Sequence, residues 1–126
     1  MFEFRVIDDK EQEIFDRFVA EHPKGHVLQT WAWGQVKKSM GWLPLAGLLL
    51  EDGVIRAAIL ILKRRLPLPG ISRSIFYAPR GPVADVHDER IMNQLLAGVR
   101  RLARQHGAIF LKIDPDIPAS DRRFKE

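Results

Sequence analysis

The chain begins with an alternation of apolar and polar positions from Phe2 to Ile7, in the stretch FEFRVID. A period of two predicts a half-buried strand. The period then lengthens: Ile14, Phe15, Phe18 and Val19 fall on one helical face after Asp9, and Pro23 ends the run. Gln12, three residues beyond Asp9, suits a capping box. Thr30 is placed to cap a second helix, Trp31 to Met40, which Gly41 closes.

Two apolar runs then flank Asp52-Gly53, a pair that predicts a β-hairpin. The stretch RSIFYAP reads as another strand, stopped by the turn Pro79-Arg80-Gly81-Pro82. Asp88 caps a long helix with the stripe Ile91, Leu95, Val99 and Leu102, and Gly107 ends it. Arg100, Arg101 and Arg104 lie toward its C-terminal end, where cations suit the helix dipole. AIFLKID is the last predicted strand, and nothing after residue 114 has a pattern of its own. The order β-α-α-β-β-β-α-β implies a mixed α/β (α+β) layer structure in which helices cover a sheet. At 126 residues the chain is expected to be one domain.

The second helix concentrates unusual chemistry, because all three tryptophans lie between residues 31 and 42. At about 100° per residue, Trp33, Val36 and Met40 share a face with Lys37 on its border. Lys38 points the opposite way, near Trp31 and Gln35, and reads as a solvated residue. Lys37 either covers core side chains with its stem or presents an ammonium at a cleft edge.

Two further segments carry candidate chemistry. A strand ending in Pro-Arg-Gly-Pro can set Arg80 and backbone amides near a phosphate, or serve as a stiff connector. Asp114 ends an apolar strand just before Pro115, where it can act as a base, orient an amine, or form an Asx turn. The four histidines are not at metal-ligand spacing. With no cysteine, disulfides and thiolate chemistry are excluded.

The net charge of +4 favours anionic partners. The basic clusters at 63–65, 100–101 and 122–123 have no nucleic-acid-binding fingerprint beside them. The apolar runs are too short to span a membrane and the N-terminus does not read as a signal peptide, so a cytoplasmic protein is expected.

Taken together, HVLQTWAWGQVKKSMGW, YAPRGPVADVHDERIMNQLL and FLKIDPDIP resemble the Fem aminoacyltransferase family, which builds the interpeptide bridge of peptidoglycan. The likeness runs from about His22 to Pro118, with the segments in the family's order. It implies a GNAT-like (acyl-CoA N-acyltransferase-like) fold in which residues 1–126 are the N-terminal subdomain, the second transferase domain of the family lying outside this chain. It implies transfer of an amino acid from aminoacyl-tRNA, a co-substrate, with no cofactor. The acceptor is an amine on a UDP- or lipid-linked muropeptide. By the same resemblance Lys37 contacts acceptor phosphates, Arg80 matches the basic residue before Gly-Pro-Val, and Asp114 lies near the reacting amine. Trp33 and Tyr77 then shape the groove.

Two departures are visible. Ile109 stands where one branch of the family has an aromatic residue, and the likeness ends before the transferase half, so the chain alone is expected to be inactive. Two alternatives remain. A coenzyme A-dependent N-acyltransferase would need amides in the loop after the strand ending at Tyr77, where APRGPVAD instead has prolines without an N–H. A non-enzymatic basic module for RNA or another anionic partner would bind with steep salt dependence and little reliance on Lys37.

Overall fold

A computed structural model of the chain describes residues 1–70 and 72–115, the side chains of Asp114 and Pro115 excepted. Its elements are β1 (Phe2–Val6), α1 (Gln12–Glu21), α2 (Trp31–Lys38), β2 (Leu43–Glu51), β3 (Val54–Arg65), β4 (Ser74–Arg80), α3 (Glu89–Gln105) and β5 (Ala108–Pro115). That is the predicted order. The strands form one sheet in the sequence β1-β2-β3-β4-β5. All neighbours are antiparallel except β4 and β5, which run parallel because α3 carries the chain back across the sheet.

Local chemistry explains the corners. Asp52 and Gly53 both have positive φ, 51° and 82°, and join the Glu51–Val54 pair as a two-residue hairpin. The Asp88 carboxylate accepts from the backbone N–H groups of Arg90 and Ile91, capping α3. The first helix starts differently from expectation. Asp8, not Asp9, is the capping residue, accepting from the Lys10 N–H, and a 3-10 turn (Asp9–Glu11) precedes α1. Phe15 and Val19 are buried there, whereas Ile14 stays at the surface.

The sheet is covered on both faces, and β3 shows how. Ala57, Ile59 and Ile61 join Phe76, Leu95 and Val99 in a core under α3. Ala58, Leu60 and Leu62 point the other way, into a core with Phe15, Val19 and Leu48 under α1 and α2. Because successive strand residues alternate sides, a strand buried on both faces reads as one continuous apolar run.

The α2 face overturns an expectation. Val36 and Met40 do not face the core: they are 48% and 58% exposed, and Met40 lies in the turn after the helix. The helix instead rests on the sheet through Gly34, where a Cβ would stand 3.0 Å from Pro44 Cβ and 3.2 Å from Leu60 Cδ1. With Gly34 as the contact line, Val36 lies about 200° round the helix, on the far side. Trp33 and Lys37 fall on one flank of the contact, Trp31 and Lys38 on the other.

Candidate functional site

The site begins with an interruption in the sheet. β3 and β4 pair from Arg65↔Ser74 to Leu62↔Tyr77, and two residues further along the same register Leu60 would face Pro79. Proline has no N–H to offer. The side-chain amide of Gln29, from a 3-10 turn at Val27–Gln29, occupies the gap. Its Nε2 donates to the carbonyls of Leu60 (3.1 Å) and Pro79 (2.9 Å), and its Oε1 accepts from the Leu60 N–H at 2.8 Å. Gln29 is fully buried, so these bonds act in a water-free setting. They fix the lead-in to α2 against both strands. The neighbouring position is closed to larger residues, since a Cβ on Gly81 would lie 2.6 Å from Gln29 Oε1.

Above this clasp, α2 and the two strands enclose a cavity of about 210 Å³ lined by Leu28, Trp33, Lys37, Trp42, Leu62, Tyr77 and Pro79. Its aromatic walls each carry a cation. The Lys37 ammonium lies 5.2 Å from the Trp33 ring centre, and Arg64 stacks over Trp42 at 4.2 Å. Lys112, paired with Tyr77 across the β4–β5 ladder, places its ammonium 5.3 Å from the tyrosine ring. An aromatic face positions a cation without neutralising it, unlike a carboxylate. The cavity therefore combines apolar, ring-stacking walls with positive charge available to an anion. The Trp33 indole N–H is buried and without a hydrogen-bond partner among the described residues.

The structure thus brings Lys37, Trp33 and Tyr77 together, as expected of them. Arg80 follows Pro79 at the strand end, exposed and with φ at +58°, and is not part of the cavity lining. Asp114 occupies the ladder position opposite Pro79, one strand over, and its side chain lies outside the described residues. Sequence reasoning missed four contributors: Gln29, Trp42, Arg64 and Lys112. Arg64 belonged to the basic cluster at 63–65, which has no nucleic-acid-binding fingerprint beside it. Gln29 had no periodic signal at all.

The other flank of α2 is not bare. Trp31, Gln35 and Lys38 line a second hollow of about 190 Å³ with Ile7, Leu43, Pro44, Ala46 and Leu60. The Trp31 backbone N–H donates to the Asp16 carboxylate at 2.9 Å, tying α2 to α1 on that side. Among the described residues no cluster of His, Asp and Glu is disposed to hold a metal ion.

The comparisons with known proteins agree with this architecture. The model of the FemAB family matches residues 10–126. A lipid II:glycine glycyltransferase of Staphylococcus haemolyticus is 33% identical over 102 residues, which is 81% of this chain and 24% of that protein. The Staphylococcus aureus counterpart is 31% identical over the same share of each. The chain therefore spans about a quarter of the length of these relatives. A crystal structure of FemX superposes with a TM-score of 0.81 at 29% identity, over 93% of this chain and 28% of that one. More distant is a ribosomal-protein-alanine N-acetyltransferase of Brucella melitensis, TM-score 0.65 at 13% identity, with 98% and 87% covered. That likeness shows the fold alone, which is GNAT acetyltransferase-like. Sequence and structure together place this chain in the FemAB family.

Proposed function

We propose that this chain forms the acceptor-binding part of an aminoacyltransferase that adds amino acids to the peptidoglycan stem peptide, with a lipid-linked muropeptide as acceptor. The observation that carries this reading is the cavity in which Lys37 stands over Trp33 beside Trp42 and Tyr77. A muropeptide joined to its carrier by phosphates offers both features the cavity selects: ring faces for the aromatic walls and negative charge for the rim. Lys37 holds the phosphate, Arg80 approaches it from the end of β4, and Trp33 and Tyr77 form the walls. Asp114 orients the reacting amine from the β5 side.

In the full-length protein of this type the acceptor amine attacks the carbonyl of an aminoacyl-tRNA ester. An amide forms, the ester C–O bond breaks, and the tRNA hydroxyl leaves. The protein's contribution is chiefly positioning. Aminoacyl-tRNA is the co-substrate, no other cofactor takes part, and the reaction belongs on the cytoplasmic side of the membrane.

A coenzyme A-dependent reaction is the reading set aside. Its support fails in the loop after β4, where two amides are engaged within the protein. The Gly81 N–H donates to the Ala78 carbonyl (3.2 Å) and the Val83 N–H to the Ala58 carbonyl (2.8 Å). Pro79 and Pro82 have none to give.

Calorimetric titration of UDP-N-acetylmuramoyl-pentapeptide, a soluble acceptor, tests the proposal. Saturable binding by the wild-type chain, weakened at least tenfold in Lys37→Ala, is expected. Saturable binding of acetyl-CoA instead would overturn it.

A further inference from the structure

The outward residues of α2 have neighbours of the same character. Leu43 opens β2 opposite Lys63, near the end of β3, and Arg65 pairs with Ser74 at the start of β4. Just beyond that pair the Leu66 N–H donates to the Arg73 carbonyl at 2.9 Å. Arg64 Nη2 donates to the Met40 carbonyl at 3.0 Å, which joins the end of α2 to the end of β3. One end of the sheet therefore gathers Met40, Leu43 and Leu68, which are 58%, 44% and 50% exposed. Lys38, Arg64 and Arg65 are exposed among them.

Charge along the chain is divided in the same way. Residues 22–50 and 53–84 contain nine lysines and arginines and no aspartate or glutamate. The intervening acids, Glu51 and Asp52, sit at the opposite end of the β2–β3 hairpin. There Arg56 and Arg90 pair with Glu51, and the N-terminal ammonium pairs with Asp52. An apolar rim among basic residues, on chain segments that carry no acid of their own, is the composition of an interfacial membrane-binding surface. RNA would be drawn to the charge but would gain little from exposed methionine and leucine.

We propose that this end of the sheet docks onto an anionic lipid bilayer. Met40, Leu43 and Leu68 enter the headgroup region, and Lys38, Arg64 and Arg65 lie against the lipid phosphates. The arrangement deepens the acceptor reading and rests on it in one respect. Trp42 and Lys37, at the cavity, adjoin this surface through Met40 and Arg64, so a lipid-linked acceptor reaches the cavity while its tail stays in the bilayer.

Co-sedimentation of the chain with vesicles decides it, using phosphatidylcholine alone and phosphatidylcholine mixed with phosphatidylglycerol. Binding to the anionic vesicles only is expected. Lys38→Gln/Arg65→Gln should weaken it about 25-fold at low salt, at about fivefold per charge. Met40→Ser/Leu68→Ser, with the charge unchanged, should weaken it about tenfold. Both pairs alter exposed side chains, and unchanged thermal midpoints verify that the fold is kept.

Full vesicle binding by Met40→Ser/Leu68→Ser would overturn the inference in favour of simple adsorption of polyanions, which an RNA homopolymer would then reproduce. Absence of binding by the wild-type chain would overturn it outright. The two proposals fail separately: vesicle binding lost with muropeptide binding kept removes only the docking surface, and the reverse removes only the acceptor cavity.

Discussion

The two faces of the sheet are built from the same strands and do different work. Under α3, Ile59, Ile61, Phe76, Leu95 and Val99 form a closed apolar core. Under α2, the helix touches the sheet through a glycine, a glutamine amide replaces a ladder rung, and a cavity remains beside three aromatic residues with cations over them. The first face is packed for stability: its core is closed, and its hollow, of about 250 Å³ between α3 and β1, has Phe4, Gly98 and Leu102 in its lining but no tryptophan or tyrosine. The second accepts incomplete packing and a buried polar clasp, and the candidate chemistry lies there. Function is expected beside such a narrow contact, where packing is left incomplete, and not where the layers seal.

The contrast can be broken hardest at Gln29. Gln29→Leu removes three hydrogen bonds and leaves buried backbone groups of Leu60 and Pro79 without partners. A loss of about 3–5 kcal/mol in a urea titration is expected, together with loss of muropeptide binding. Leu95→Ala, in the α3 core, should cost a comparable amount, about 3 kcal/mol, yet leave the affinity of the folded fraction unchanged. Equal effects of the two on affinity would show that the faces are not functionally distinct. Gly81→Ala comes next, because its Cβ would meet Gln29 Oε1 at 2.6 Å and the clasp cannot yield. About 2 kcal/mol is expected from the same titration.

How much of this was legible in the sequence follows from the same contrast. The α3 face was readable because regular packing leaves a period: the stripe Ile91, Leu95, Val99 and Leu102 is buried as its spacing implies, and Asp88 caps its helix. The Asp52-Gly53 hairpin was readable because left-handed backbone demands those residue types.

The α2 face was read less well, for physical reasons. Hydrophobicity alone turned Val36 and Met40 inward, whereas close approach through Gly34 turned them out. Periodicity rewards large apolar residues and is silent on a glycine that sets a helix backbone against side chains of the sheet. Trp33 and Lys37 were singled out by their place on the helix and Tyr77 through the resemblance, and all three line one cavity. Gln29 was invisible because its partners are 31 and 50 residues away. Lys112 and Arg64 matter only through strand pairing and the turn at Met40, neither of which a local pattern encodes.

The smallest expected effect concerns pH and sharpens the comparison from its edge. Burial, and then the nearby Lys63 charge, hold the His106 pKa below its ordinary value of 6.5. The Lys63 ammonium stands 2.9 Å from Nδ1, an arrangement that favours a neutral ring accepting its proton. His22 is likewise lowered, mainly by burial. The unfolded chain binds these protons at higher pH than the folded one. Their contribution to stability is therefore full above pH 6.5 and is lost as the pH falls through the lower folded values. A thermal midpoint that is flat above neutrality and falls on acidification below 6.5, less steeply in His106→Gln, is the expected result. An unchanged slope in that variant would remove His106 from the account.

The central claim is that one flank of α2 is the muropeptide site and the other is not, although each carries a tryptophan and a lysine beside a hollow. Calorimetric titration of UDP-N-acetylmuramoyl-pentapeptide into Lys37→Ala and into Lys38→Ala tests it most directly. Lys37→Ala should lose about 1.5–3 kcal/mol of binding, the worth of a hydrogen bond to a charged group. Lys38→Ala should bind as the wild type does, and both should unfold within about 0.5 kcal/mol of it. Equal losses in the two variants would mean that the ligand senses only the general positive charge of α2, and would contradict the site.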